Sequence, residues 1–166
     1  TLRSKPTAVG YVSAAVIDGS IYVPGGIGSG ESAQDVLEIY SPESNTWTTG
    51  APMPEPLGAY GLAALEEQIY LFGGFDGQEY ADSVYRYDPV SDNWEELAPM
   101  DQTRGYLGAA TVGDRFYVAG GYDGDAELNS CAAYSPVNDA WSPCAPMLQG
   151  RGGLALVSVR ETLYAI

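Results

Sequence analysis

The chain has 166 residues, with 22 Asp+Glu against 7 Lys+Arg, a formal net charge of −15 and no histidine. Without histidine there is no His-dependent catalytic triad, no His-ligated zinc or copper and no proximal haem ligand, and the acidic balance opposes nucleic acid or an anionic membrane as a direct partner while leaving basic partners open. The 45% hydrophobic fraction is that of a globular protein, yet no run approaches the roughly 18 apolar residues that a membrane span needs.

The sequence repeats itself. Trp47, Trp94 and Trp141 stand 47 residues apart, and Tyr40, Tyr87 and Tyr134 keep the same period. Pro42, Pro89 and Pro136 keep it too, as do the Ala-Pro-Met tripeptides that begin at Ala51, Ala98 and Ala145. The pairs Gly25-Gly26, Gly73-Gly74 and Gly120-Gly121 are spaced by 48 and then 47, which places a one-residue, loop-like insertion between Gly26 and Tyr40. In chain order the units run 9–53, 57–100 and 104–147, and residues 151–166 supply the first two strands of a fourth.

Within a unit the apolar pattern predicts strands. In the second unit the run Ile69-Tyr70-Leu71-Phe72 leads into the glycine pair. In the third, Leu107 to Val112, Arg115 to Ala119, Cys131 to Tyr134 and Trp141 to Ala145 are short runs bounded by Gly, Asp, Pro or Asn. Gly113-Asp114 and the 136–139 stretch Pro-Val-Asn-Asp suit antiparallel hairpins. No segment holds a helical period. Each unit is therefore a four-stranded antiparallel sheet with two faces to bury, and radial stacking of such sheets gives a propeller.

The glycine pair after an apolar strand, the Phe75-Asp76-Gly77 that follows it, Tyr87-Asp88-Pro89, and Trp94 seven residues after Tyr87 together resemble the kelch repeat. The resemblance covers almost the whole chain and recurs in register three times. It implies an all-β, kelch-like β-propeller segment, with the marker Gly, Tyr and Trp residues building the blades. It also implies a ring of six or seven blades. The fourth unit stops at Ile166, where the period expects its glycine pair, so the expectation is an incomplete ring completed by the rest of a longer chain or by another subunit.

Alternate connections of an antiparallel blade fall at the same end. The loops after the glycine pairs and the connections after each Ala-Pro-Met should therefore form one face, where variable loops on a fixed scaffold place recognition. The post-glycine loops are acidic with interleaved aromatics. The residues expected to contact a partner are Tyr60, Asp76, Tyr80, Arg104, Tyr106, Asp123, Asp125 and Arg151. Arg104 and Arg151 are equivalent under the period, and family precedent gives an Arg there contact with acidic ligands; pairing with the loop carboxylates inside the protein is the alternative. The first two units carry Val9 and Leu57 at that place, so no basic ring forms. Solvated turns are the plain reading of the acidic loops. The alternating oxygens from Asp123 to Glu127 lack the remaining ligands of a calcium loop, and no metal or cofactor is expected.

The expected function is a non-catalytic binding scaffold for a protein or carbohydrate partner. The alternatives implied by the family are a sugar-processing enzyme of the sialic-acid type, using Glu31, Glu79 or Glu127 with Arg104, and a substrate adaptor of a ubiquitin ligase if the protein is intracellular. Kelch-like copper oxidases need histidine ligands, which this chain lacks. Pairing Tyr134 with Trp141 across the third unit's hairpin also sets Cys131 opposite Cys144, where the second unit has Val84 opposite Leu97 and the first Leu37 opposite Gly50. Facing positions fall within disulfide range, and the pair is either bridged or reduced. A bridge, together with the single lysine Lys5, tilts localisation toward an extracytoplasmic compartment.

Overall fold

A computed structural model describes residues 2–166, and among them there is no helix. The first blade contains β1 (Ala15–Ile17), β2 (Ser20–Pro24), β3 (Leu37–Ser41) and β4 (Thr46–Thr49). The second contains β5 (Gly61–Leu65), β6 (Gln68–Phe75), β7 (Tyr80–Asp88) and β8 (Asn93–Leu97), and the third β9 (Gly108–Val112), β10 (Arg115–Ala119), β11 (Cys131–Ser135) and β12 (Ala140–Cys144). β13 (Leu156–Val159) and β14 (Thr162–Ala165) form a two-stranded sheet. Each full blade is a meander of four neighbouring antiparallel strands. The first strands pack in sequence, β1 on β5, β5 on β9 and β9 on β13, which makes an open arc of three and a half blades.

The core lies between blades. Along β6, Ile69 and Leu71 join Tyr22, Leu37 and Trp94 in the cluster toward the first blade. Tyr70 and Phe72 join Phe116, Val118 and Tyr134 in the cluster toward the third. Alternate residues thus serve opposite interfaces, which is why the strand reads as a continuous apolar run although its side chains have period two. A third cluster sets Ala110 and Ala119 against Leu156.

Two periodic devices join the blades. The first is the glycine pair. Gly26, Gly74 and Gly121 donate their N–H groups to the carbonyls of Leu57, Arg104 and Arg151 in the next blade, at 2.8, 2.9 and 2.9 Å. A Cβ on Gly25, Gly73 or Gly120 would meet those same carbonyl oxygens at 2.3, 2.4 and 2.5 Å, so the approach admits no side chain, and φ is positive at all three.

The second is a staple at the opposite end of each blade. Tyr87 Oη and the N–H of Ala51 both donate to Asp92 Oδ1, at 2.7 and 2.6 Å, while Trp94 Nε1 donates to the Ala51 carbonyl at 3.0 Å. One junction later, Tyr134 Oη and the N–H of Ala98 converge on Asp139 Oδ1 at 2.6 and 2.8 Å, and Trp141 Nε1 reaches the Ala98 carbonyl at 2.9 Å. In the first blade Asn45 replaces the aspartate. It accepts from Tyr40 Oη and from the N–H of Arg3, both at 2.9 Å, and Trp47 Nε1 donates to the Arg3 carbonyl at 3.1 Å. Asn45, Asp92 and Asp139 share a left-handed φ of 53°, 48° and 46°, which short polar side chains tolerate best after glycine.

Cys131 and Cys144 are bridged, with their Cα atoms 5.2 Å apart and in register across β11 and β12. Val84 faces Leu97 at the equivalent place, and Gly50 donates its N–H to the Leu37 carbonyl.

Candidate functional site

The post-glycine loops and inter-blade connections meet at one end of the arc. Ile27, Phe75 and Tyr122, the residues that follow the glycine pairs, form antiparallel bridges with Gly10, Gly58 and Gly105 in the connections. Above these bridges a second set of hydrogen bonds runs around the axis. The N–H of Ala59 donates to the Tyr11 carbonyl, that of Tyr106 to Ala59, and that of Gly153 to Tyr106, at 2.7, 2.6 and 2.8 Å. All four are left-handed, with φ of 54° at Tyr11, 54° at Ala59, 56° at Tyr106 and 68° at Gly153. Glycine meets this requirement at no steric cost, whereas tyrosine bears a penalty on the order of 1 kcal/mol. Tyr11 and Tyr106 are therefore held in place at a local cost.

Their rings begin a chain across the face. Tyr11, which is 63% exposed, meets Tyr106 edge-on at 5.6 Å. Tyr106 lies 6.4 Å from Tyr80, and Tyr80 lies 4.8 Å from Phe75 and 5.5 Å from Tyr122, the last again edge-on. Burial, with smaller contributions from Tyr106 and Tyr122, raises the Tyr80 phenol above its ordinary pKa, and burial followed by Tyr11 and Glu31 does the same for Tyr106. Phe75, Gln78, Glu79, Tyr80, Thr103, Tyr122, Asp123 and Gly124 enclose an open cleft of about 590 Å³ between the loops of the second and third blades.

The acidic loops are built by their own aspartates. Asp76 Oδ1 accepts the N–H groups of Gln78 and Glu79 at 2.6 and 2.7 Å. Asp123 Oδ1 accepts those of Asp125 and Ala126 at 2.9 and 2.8 Å, and its Oδ2 accepts Gln102 Nε2 at 3.0 Å. These donors, Ala126 first and Asp125 next, hold the Asp123 carboxyl below its ordinary pKa. Asp125 is exposed at the loop tip.

Of the residues expected at a partner interface, Tyr80, Tyr106 and Asp123 come together here, and Asp76 and Asp125 sit at the neighbouring tips. Tyr60 and Arg104 lie inside the inter-blade packing at 3% and 4% exposure. Tyr60 Oη donates back to the Pro24 carbonyl of the first blade, and burial pushes its phenol far above the ordinary pKa. Arg104 donates from Nη1 to the Gly120 carbonyl and from Nη2 to Ser130 Oγ, both at 3.0 Å. Burial disfavours its charged form, against a smaller opposing pull from Asp123. Arg151 is half-buried, and its Nη1 lies 3.5 Å from the Ala165 carbonyl. Neither arginine pairs with a loop carboxylate; among the described residues the ion pairs are Lys5–Glu38 and Arg86–Glu95. Tyr11, Phe75 and Tyr122 complete the aromatic chain, although none of them was among the expected partner contacts. The repeat carries a signal for Tyr11, since it is Tyr106 moved back by two units.

The Kelch motif family model matches residues 8–54, 56–101 and 103–148. The chain belongs to the kelch family. Kelch repeat and BTB domain-containing protein 12 of Homo sapiens is 38% identical over 79 residues, covering 40% of this chain and 13% of that protein. Kelch-like protein 1 of Mus musculus is 40% identical over 50 residues, covering 30% of this chain and 7% of that protein. The chain thus spans only a small part of the length of these kelch relatives. The solved structure of YjhT superposes with a TM-score of 0.87 over 98% of this chain and 60% of that one, at 16% identity, a likeness of fold alone.

Proposed function

We propose that the protein is a non-catalytic interaction scaffold whose loop face holds a protein partner. The observation that carries this reading is the chain of partly exposed rings from Tyr11 through Tyr106 and Tyr80 to Tyr122, which spans all three full blades. Aromatic side chains give large contact areas with few torsions to freeze, and at interfaces they dominate the energetics. The left-handed backbone at Tyr11 and Tyr106 adds support, because the fold requires only what Gly153 supplies at the same place. A second reading, as the recognition part of a BTB-linked adaptor, is favoured by the match to the BTB-containing human relative.

A photo-crosslinking residue in place of Tyr106 tests the face. It should capture a partner protein that the same residue in place of Val137, exposed on a turn at the opposite end, does not. Capture through position 137 alone would place the interface at the other end of the blades.

A further inference from the structure

We infer that the cleft between the post-glycine loops of the second and third blades takes an arginine side chain from a basic segment of the partner. This inference rests on the loop face being the recognition surface and adds the chemistry of what it recognises. The walls are three rings set at different angles: Phe75 and Tyr80 are inclined by 35°, and Tyr122 stands at 83° to Tyr80. A ring face open to the cleft attracts a cation through its quadrupole. At about 590 Å³ the cleft is larger than one side chain, which leaves room for the residues that carry it.

Two carboxylates line the same space. Glu79 is exposed, and Asp123 is half-buried and fixed from three sides by Asp125, Ala126 and Gln102. No Lys or Arg lines the cleft, and neither carboxylate belongs to an ion pair among the described residues. The nearest arginine along the chain, Arg104, donates to Gly120 and Ser130 rather than to either carboxylate, and Asp123 acts on it only as a pull weaker than its burial. An anionic or neutral guest would leave this charge uncompensated, while a guanidinium stacks on a ring and donates to a carboxylate at once. The net charge of −15 steers the same class of partner toward the protein.

The test uses a tetra-arginine peptide, its citrulline isostere of equal shape but no charge, and NMR of the protein. The arginine peptide should bind saturably, shift the resonances of Tyr80 and Tyr122, and bind at least tenfold more tightly than the citrulline peptide. Replacing Glu79→Gln together with Asp123→Asn should weaken it at least tenfold; asparagine keeps the Oδ1 acceptor that closes the turn, and an unchanged melting temperature confirms the fold. The control, Glu66→Gln with Glu67→Gln, removes the same charge from the β5–β6 turn at the opposite end and should change affinity less than twofold. Equal affinity for the two peptides, or equal loss in the two double variants, overturns the inference. If a partner crosslinks at position 106 while the arginine peptide does not bind, the cation is wrong and the face stands; if neither happens, the face itself is wrong.

Discussion

The two ends of the arc obey different rules. At the staple end the same atoms recur at every junction: a tyrosine hydroxyl and a backbone N–H on one Oδ1, and an indole N–H on the neighbouring carbonyl. At the loop end the backbone recurs and the side chains do not. Ile27, Phe75 and Tyr122 occupy one periodic place, and Tyr11, Ala59, Tyr106 and Gly153 another. Identity that repeats answers a demand every blade makes, which is to dock on its neighbour. Identity that changes over an unchanged backbone is released from that demand. The tyrosines at left-handed positions sharpen the contrast, since there the side chain is kept against the local preference of the backbone.

The comparison can be broken first at the staple. Trp94→Ala should destabilise the protein by about 3–5 kcal/mol, because it empties a buried indole site and removes the hydrogen bond to Ala51. Urea unfolding measures it, and a loss no greater than that of a surface change would remove the staple from the account of stability. The Cys131–Cys144 bridge comes next. It closes a short loop of sequence separation 13, so replacing both cysteines with serine should cost roughly 3 kcal/mol at most. Intact mass after alkylation, with and without reductant, checks the bridge itself: two labels should be taken up only after reduction.

Acid sharpens the difference among the junctions. The Asp92 carboxyl is held below its ordinary pKa first by the Ala51 N–H and then by Tyr87, and the Asp139 carboxyl first by Tyr134 and then by Ala98. A depressed folded-state pKa contributes stability that is complete above the unfolded value of about 4 and is lost as pH falls through the folded value. The second and third blades should therefore loosen below about pH 4. Asn45 exempts the first junction from this titration. Stability measured against pH in the double variant Asp92→Asn and Asp139→Asn should be flatter in that acid range than in the parent.

The smallest effect on stability belongs to the loop face. Tyr106→Gly relieves the left-handed backbone while losing partly exposed ring contacts, so the melting free energy should move by less than about 0.5 kcal/mol. Partner binding should fall severalfold. A large loss of stability in this variant would mean that Tyr106 is a structural residue.

The fold was legible because its demands repeat. One period located the Trp, Tyr and glycine-pair positions, and the Tyr134–Trp141 pairing correctly aligned Cys131 with Cys144. Strand limits followed closely: the third blade's second strand is Arg115–Ala119, as the apolar run predicts. The turns of β5–β6 and β13–β14 were less readable, since Glu66-Glu67 and Arg160-Glu161 take left-handed φ without a glycine or asparagine to announce it. The site was legible only by region. Sequence period fixes which residues share a level of the blade, but Tyr60 turns inward to Pro24 and Arg104 to Gly120, and that choice depends on how much room the adjoining blade leaves. Asp139 reads from the sequence as an ordinary residue of the 136–139 turn because the N–H group it accepts comes from 41 residues earlier in the chain.

That distance gives the staple a consequence for how such a molecule can grow. Each joint takes its acceptor from one blade and its carbonyl and N–H from the connector that closes the blade before. A duplicated stretch of DNA encoding one period therefore carries a plug for the copy upstream and a socket for the copy downstream. The new unit fits on both sides at birth, with no further mutation to make an interface. Side chains on the loop face carry no part of that joint, so each copy is free to diverge there from the first generation onward.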